Sequence, residues 1–318
     1  MHAVATMKPD ASRRDASIAD PSPAPVRLAG LAGVSKRYGK LLALDNVDLQ
    51  VRAGEVLAML GPNGAGKTTA ISLLLGLQQA DGGMADLFGM VPKSLAARRR
   101  IGAMLQATEV PETLKIGELI ALFGSYYPNP RSIAECVALA GVGDLLDRRY
   151  GKLSGGQQRR AQFALAIVGR PDILFLDEPT TGLDIEAREI MWKTIRQLVA
   201  EGCAVVLTTH YLEEAEALAD RVCVLAGGRI VAEGSVAAIR ARVSQRRIRC
   251  ISSLASKTIL CWPHVRSVTQ DGEHIEIVTD VAESVVRKLL DADAGLSELE
   301  IRRAGLAEAF VEITKEAA

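Results

Sequence analysis

The spacing of hydrophobic and polar positions changes several times along the chain, and each change marks an element. From Leu31 to Arg52 two runs, LAGVSKRYG and LLALDNVDLQV, alternate like half-buried strands around the turn Tyr38-Gly39-Lys40. Residues 56–61, VLAMLG, are a compact apolar run ending in a glycine-rich turn, and Thr68–Leu77 follows with helical spacing. Strand, loop and helix in that order open a parallel α/β sheet. Residues 115–170 are mostly helix-like; β-rich runs return at Ile173–Leu176, Ala204–Thr208 and Arg221–Leu225. Residues 229–243 predict a short strand and helix leaving this domain. From near Ser244 the pattern restarts with IRCISS, a hairpin RSVTQDGEHIEIVTD, an amphipathic helix VAESVVRKLLDAD and a terminal helix LAEAFVEIT. That segment reads as a small α+β appendix forming a separate lobe.

Composition narrows the picture. The 318 residues suffice for one large or two modest domains. Residues 1–28 lack periodicity and are rich in Ala, Ser, Pro, Asp and Arg, which predicts a flexible tail. Thirty-eight basic residues balance 38 acidic ones, so the chain is not built to coat nucleic acid. Aromatics at 4% supply few base-stacking platforms. No uncharged apolar run reaches the roughly 18–20 residues that a bilayer span needs. The five cysteines form no CxxC pair and read as buried thiols of a reduced protein. Cys261-Trp-Pro-His264 has ligand-like spacing but no second pair to complete a structural zinc site.

Chemistry enters with GPNGAGKT at residues 61–68, between a strand and a helix. Gly61, Gly64 and Gly66 let backbone N–H groups converge on phosphate oxygens, and the helix N-terminus adds positive potential. Lys67 is placed for β- and γ-phosphates and the Thr68 hydroxyl for Mg²⁺, with Asn63 and Thr69 completing the nucleotide-binding set. A P-loop needs an acid at the end of a second strand. ILFLDEP at 173–179 offers Asp177 on the Mg²⁺ side and Glu178 one residue beyond, positioned to polarise water in line with the γ-phosphate. LSGGQ at 153–157 sets Ser154, Gly155, Gly156 and Gln157 at a helix N-terminus, a second anion site. One chain cannot easily bring both sites to one γ-phosphate; a second copy facing head to tail can.

With these motifs in this order, residues 29–235 resemble the ATP-binding subunits of ABC transporters. The resemblance implies further roles: Tyr38 as the aromatic that stacks on adenine, and Gln106 in IGAMLQ as the Q-loop glutamine that touches Mg²⁺ and responds to a membrane partner. Asp184 in TTGLD matches the D-loop position that crosses the dimer interface, and His210 matches the switch histidine that bonds the γ-phosphate. The implied fold is α/β: a P-loop NTPase (RecA-like) core with an N-terminal antiparallel β subdomain and a helical signature subdomain near 107–168. These make an ATPase domain over 29–243, followed by the accessory α+β domain 244–318. THYLEEAEALADRV and the appendix resemble ATPases of the ABC-2 type exporter group, which work with a separate membrane subunit.

The implied activity is hydrolysis of ATP with Mg²⁺. The implied partners are a second copy and an integral membrane permease, with no nucleic acid and only indirect membrane contact at the cytoplasmic face. In the family, Ile116–Tyr127 lies beside the groove that takes the permease's coupling helix; it reads equally as helical core. The alternative is a soluble ABC ATPase of translation or DNA repair. A single P-loop and a single LSGGQ count against the first, and the short interval from Lys67 to Leu153 against the coiled-coil insertion of the second.

Overall fold

The structure, a computed structural model, describes residues 26–106, 109–242, 246–303 and 305–316. Strands β1 (Arg27–Tyr38) and β2 (Leu41–Arg52) form an antiparallel hairpin, and β3 (Val56–Leu60) leads through the glycine-rich loop into α1 (Lys67–Leu74). Strand β4 (Gly82–Leu87) then pairs with the free edge of β1, giving a three-stranded sheet ordered β2-β1-β4. After α2 (Leu95–Arg98) and β5 (Ile101–Met104) come three helices, α3 (Ile116–Gly124), α4 (Ile133–Ala140) and α5 (Gly155–Ile167). The chain returns through β6 (Ile173–Asp177), α6 (Ile185–Ala200), β7 (Ala204–Thr208), α7 (Leu212–Leu218), β8 (Arg221–Ala226), β9 (Arg229–Gly234) and α8 (Val236–Ala241).

The six-stranded sheet has the order β5-β6-β7-β3-β8-β9 and is parallel except for β9. Its central strands are buried at every position and apolar except at their ends, because both faces are covered. In β3, Val56, Ala58 and Leu60 point into a core built with the helices α3–α7, while Leu57 and Met59 point into a core shared with α1 and the antiparallel sheet. β6 and β7 divide their side chains the same way, as the two-residue period of a strand requires.

Four details differ from the sequence pattern. Tyr38 is the last residue of β1 rather than part of the turn. Arg27 and Leu28, assigned to the tail, already belong to β1; residues 1–25 of that tail lie outside the described residues. The 229–243 segment, expected to leave the domain, contributes β9 as the last strand of the main sheet. Strand β4 carries too little alternation to announce itself beforehand, whereas β5 is the strand expected before Gln106 in IGAMLQ.

The C-terminal segment folds as β10 (Arg246–Ile251), α9 (Ser256–Leu260), β11 (Val265–Asp271), β12 (His274–Thr279), α10 (Ala282–Ala292) and β13 (Ser297–Arg303). Its antiparallel sheet is ordered β11-β12-β10-β13, and one face packs Ile248, Ile275 and Ile277 against Ile259, Trp262, Val285 and Leu289. The terminal helix α11 (Leu306–Glu316) does not join that core. Leu306, Ala309 and Ile313 bury themselves in the ATPase domain with Ala215, Leu218 and Ile239 of α7 and α8. The Leu306 N–H donates to Glu216 Oε1 at 2.8 Å, and Glu216 also meets Arg240 at 2.6 Å. The lobe expected over 244–318 is therefore shorter at its end, because its last helix belongs to the first domain.

This docking is testable. Leu306→Ala, at a fully buried position, should cost about 2–4 kcal/mol in urea unfolding. Val311→Ala, on the exposed side of the same helix, should leave the midpoint nearly unchanged.

Candidate functional site

The carboxyl ends of β3, β7 and β6, adjacent in the sheet, carry the central residues of a cleft. The loop from β3 to α1 can reach it only with glycines at two crossings. A Cβ on Gly61 would stand 2.4 Å from the Leu225 carbonyl oxygen, and one on Gly66, whose φ is +107°, 2.5 Å from that of Ala43. Gly66 caps α1 without a side-chain hydrogen bond, leaving the first-turn N–H groups available to an anion.

Lys67 follows directly and is 9% exposed. Its Nζ donates to the carbonyl oxygens of Gly61 at 2.6 Å and Pro62 at 3.2 Å. Burial lowers its pKa, opposed by the nearby Glu178 and Asp177 carboxylates. Asp177 ends β6 and is almost fully buried. The Oγ1 of Thr208, its register partner at the end of β7, donates to Asp177 Oδ1. The Glu178 N–H donates to the Thr208 carbonyl at 3.0 Å and lies 3.2 Å from Thr208 Oγ1. Glu178 has φ +50°, a left-handed conformation uncommon for a side-chain-bearing residue, which turns the chain out of the strand. Its Oε1 lies 3.3 Å from Nδ1 of the half-exposed His210.

A cleft of about 310 Å³ brings together Tyr38, Asn63, Gly64, Gly66, Lys67, Thr68, Thr69, Gln106, Asp177 and Glu178. Gly61 joins through its bond to Lys67, and His210 through Glu178. Tyr38 is partly exposed, with its hydroxyl donating to Gln78 and Lys36 Nζ 5.7 Å from its ring. The Thr68 hydroxyl, the Gln106 amide oxygen and the Asp177 carboxylate are hard oxygen donors of the kind Mg²⁺ accepts beside substrate phosphates, so the donor set fits that ion.

The signature and D-loop residues do not line this cleft. Ser154 and Gln157 form the capping box of α5: the Gln157 N–H reaches Ser154 Oγ at 3.4 Å, and the Ser154 N–H reaches Gln157 Oε1 at 3.1 Å. Gly155 is exposed beside them, and a Cβ on Gly156 would lie 2.9 Å from the Gly182 carbonyl oxygen. Asp184 caps α6, accepting from the Ala187 N–H at 2.8 Å. Thr208 was not singled out beforehand, although a hydroxyl closing the otherwise apolar AVVLT strand was a usable signal.

Residues 44–181 match the family model described as ABC transporter. The Nod factor export ATP-binding protein I of Rhizobium sp. (strain N33) is 38% identical over 293 residues, covering 89% of this chain and 96% of that protein. The chain belongs to the ABC transporter ATP-binding proteins. The daunorubicin resistance ATP-binding protein DrrA3 of Streptomyces coeruleorubidus is 37% identical over 301 residues, with 89% and 94% of the two chains covered. Among solved structures, an ABC cassette in a dimeric post-hydrolysis state bound to ADP and Pi is 26% identical, with TM-score 0.60, over 65% of this chain and 98% of that one. Like the rest of its family, this ABC protein is an ATPase.

Thr208→Val keeps the side-chain volume but removes the hydroxyl that orients Asp177. It should lower ATP turnover about tenfold, the scale of a lost hydrogen bond to a charged group, with unfolding followed in parallel. Lys67→Ala should weaken ATP binding by about tenfold or more in a fluorescent-nucleotide titration.

Proposed function

We propose that this ABC ATPase drives export through a separate membrane subunit by closing head to tail on a second copy around two MgATP. The observation that carries the reading is the separation of its two anion sites. The cleft holds the P-loop and both carboxylates, whereas Ser154 and Gly155 are exposed at the start of α5, outside it. A second copy facing the cleft would supply the missing Ser154 and Gly156 to each nucleotide, with Asp184 and its loop alongside.

Within each site, the P-loop N–H groups and Lys67 hold phosphate oxygens while Tyr38 faces the base. Thr68, Gln106 and Asp177 would hold Mg²⁺, which when bound offsets phosphate charge. Glu178 orients and deprotonates the attacking water, and His210, touching Glu178 through Nδ1, fixes the carboxylate and bonds the γ-phosphate. The chemistry is phosphoryl transfer to water, in which positioning and electrostatics supply most of the rate.

Gln106 links this chemistry to a partner. Beside it lies a mostly apolar groove of about 520 Å³ between the main sheet and α3, lined by Leu77, Met104, Leu105, Phe123 and Tyr127. A short helix of a permease fits such a groove, which favours a membrane partner over the soluble alternatives. Among the described residues no helix is long and apolar enough to cross a membrane. In this reading the permease holds the ATPase at the cytoplasmic face. The names of the relatives, Nod factor export and daunorubicin resistance, support export as the direction.

Glu178→Gln should bind ATP, stall turnover and accumulate a dimer on size exclusion; a monomer throughout would sink the sandwich. His210→Ala should cut turnover about a hundredfold or more while keeping ATP affinity, on the scale of a general acid–base contribution. Hydrolysis at the wild-type rate would remove its role.

A further inference from the structure

One side chain outside the motifs ties the catalytic strand ends to the signature helix. Arg159 lies one turn into α5, whose N-cap is Ser154. Its Nη2 donates to the carbonyl oxygens of Glu178 at 3.0 Å and Asp177 at 3.4 Å. Its Nη1 donates to the carbonyl oxygen of Leu105, immediately before Gln106, at 3.3 Å, and to Gln162 Oε1 at 3.2 Å. Three main-chain carbonyls from the ends of two neighbouring parallel strands thus meet one planar cation.

The chemistry suits the place. Carbonyl oxygens project from the carboxyl edge of a parallel sheet, and a guanidinium is a rigid fork of donors that can bond several at once. Glu178 also needs holding, because its φ of +50° is not a conformation a glutamate adopts freely. Thr208 accepts from its N–H and Arg159 donates to its carbonyl, so the residue's backbone is held on both sides.

We propose that Arg159 is a positioning residue for hydrolysis. It clamps the Glu178 backbone and the start of the Gln106 loop to the helix bearing Ser154, so that a shift of that helix re-aims the Glu178 carboxylate. The proposal rests on the reading of Glu178 as the group that activates water.

The test uses the full chain, with Arg159→Met to keep the stem and remove the fork, and Arg159→Lys to keep the charge on a single ammonium. Assays run below the melting temperature of each variant. Arg159→Met should lower kcat about ten- to a hundredfold, as a small misplacement of a reacting group does, with KM and ATP affinity unchanged. Arg159→Lys should recover part of kcat, since one ammonium cannot span both strand ends. A purely structural arginine would lower the melting temperature and leave kcat at the wild-type value, which would overturn the proposal; so would a loss confined to KM. Should Arg159→Met not fold, Arg159→Lys decides alone: reduced kcat at unchanged affinity supports the clamp, and wild-type kcat refutes it. Glu178→Gln is assayed in parallel. If it still turns over, the underlying reading fails; if it stalls while the Arg159 variants do not, only the clamp fails.

Discussion

Lys67 is a cation withdrawn almost wholly from water, and such a charge persists only where compensating groups surround it. Its own loop supplies the Gly61 and Pro62 carbonyls, while Asp177 and Glu178 supply the opposing charge. Thr208, on the strand between them and the lysine, fixes the Asp177 carboxylate through its hydroxyl and holds Glu178 by the Glu178 backbone N–H. The order β6-β7-β3 therefore does more than pack a core. It lines up, at one edge of the sheet, three residues far apart in the chain whose charges and hydrogen bonds make sense only together.

The surrounding layers hold that edge still from both sides. Alternate side chains of β3, β6 and β7 enter two different cores, one capped by helices and the other by α1 and the antiparallel sheet. Neither face can slide without opening a buried cluster. Helix α5 and the chain at Leu105, just before Gln106, meet that edge through the polar contacts of Arg159. A site whose chemistry depends on positioning needs such a rigid floor.

How much of this could be read from the chain depended on how locally each element is specified. VLAML, ILFLD and AVVLT stood out because strands buried on both faces must be apolar along their length up to the strand end, and the glycine-rich loop because phosphate contact demands it. The strand GGMADL was invisible: it is glycine-led, only partly buried, and exists because β1 offers it an unpaired edge. β13, with four charges in seven residues, is likewise held by its ladder with β10 rather than by any face of its own. The amphipathic spacing of LAEAFVEIT required a partner surface but could not say which of two cores would provide it. In the site, P-loop and acid strand were legible as motifs. Arg159 was not, because a basic residue on a helix normally faces water and only the tertiary fold turns it onto three carbonyls.

The route of the C-terminal chain has a consequence for how the accessory unit is joined. α8 precedes it, α11 follows it, and both helices are anchored in the same ATPase core. Its first and last strands are direct neighbours, Arg246 pairing with Arg303, and Arg247 bridges to Glu308 of α11 at 2.6 Å. Topologically the unit is a graft within a loop and not a trailing extension. Stopping the chain after α8 would amputate part of the ATPase domain along with the graft. Splicing the two adjacent ends with a short linker would remove the graft alone, and other small domains with neighbouring termini could be inserted at the same junction.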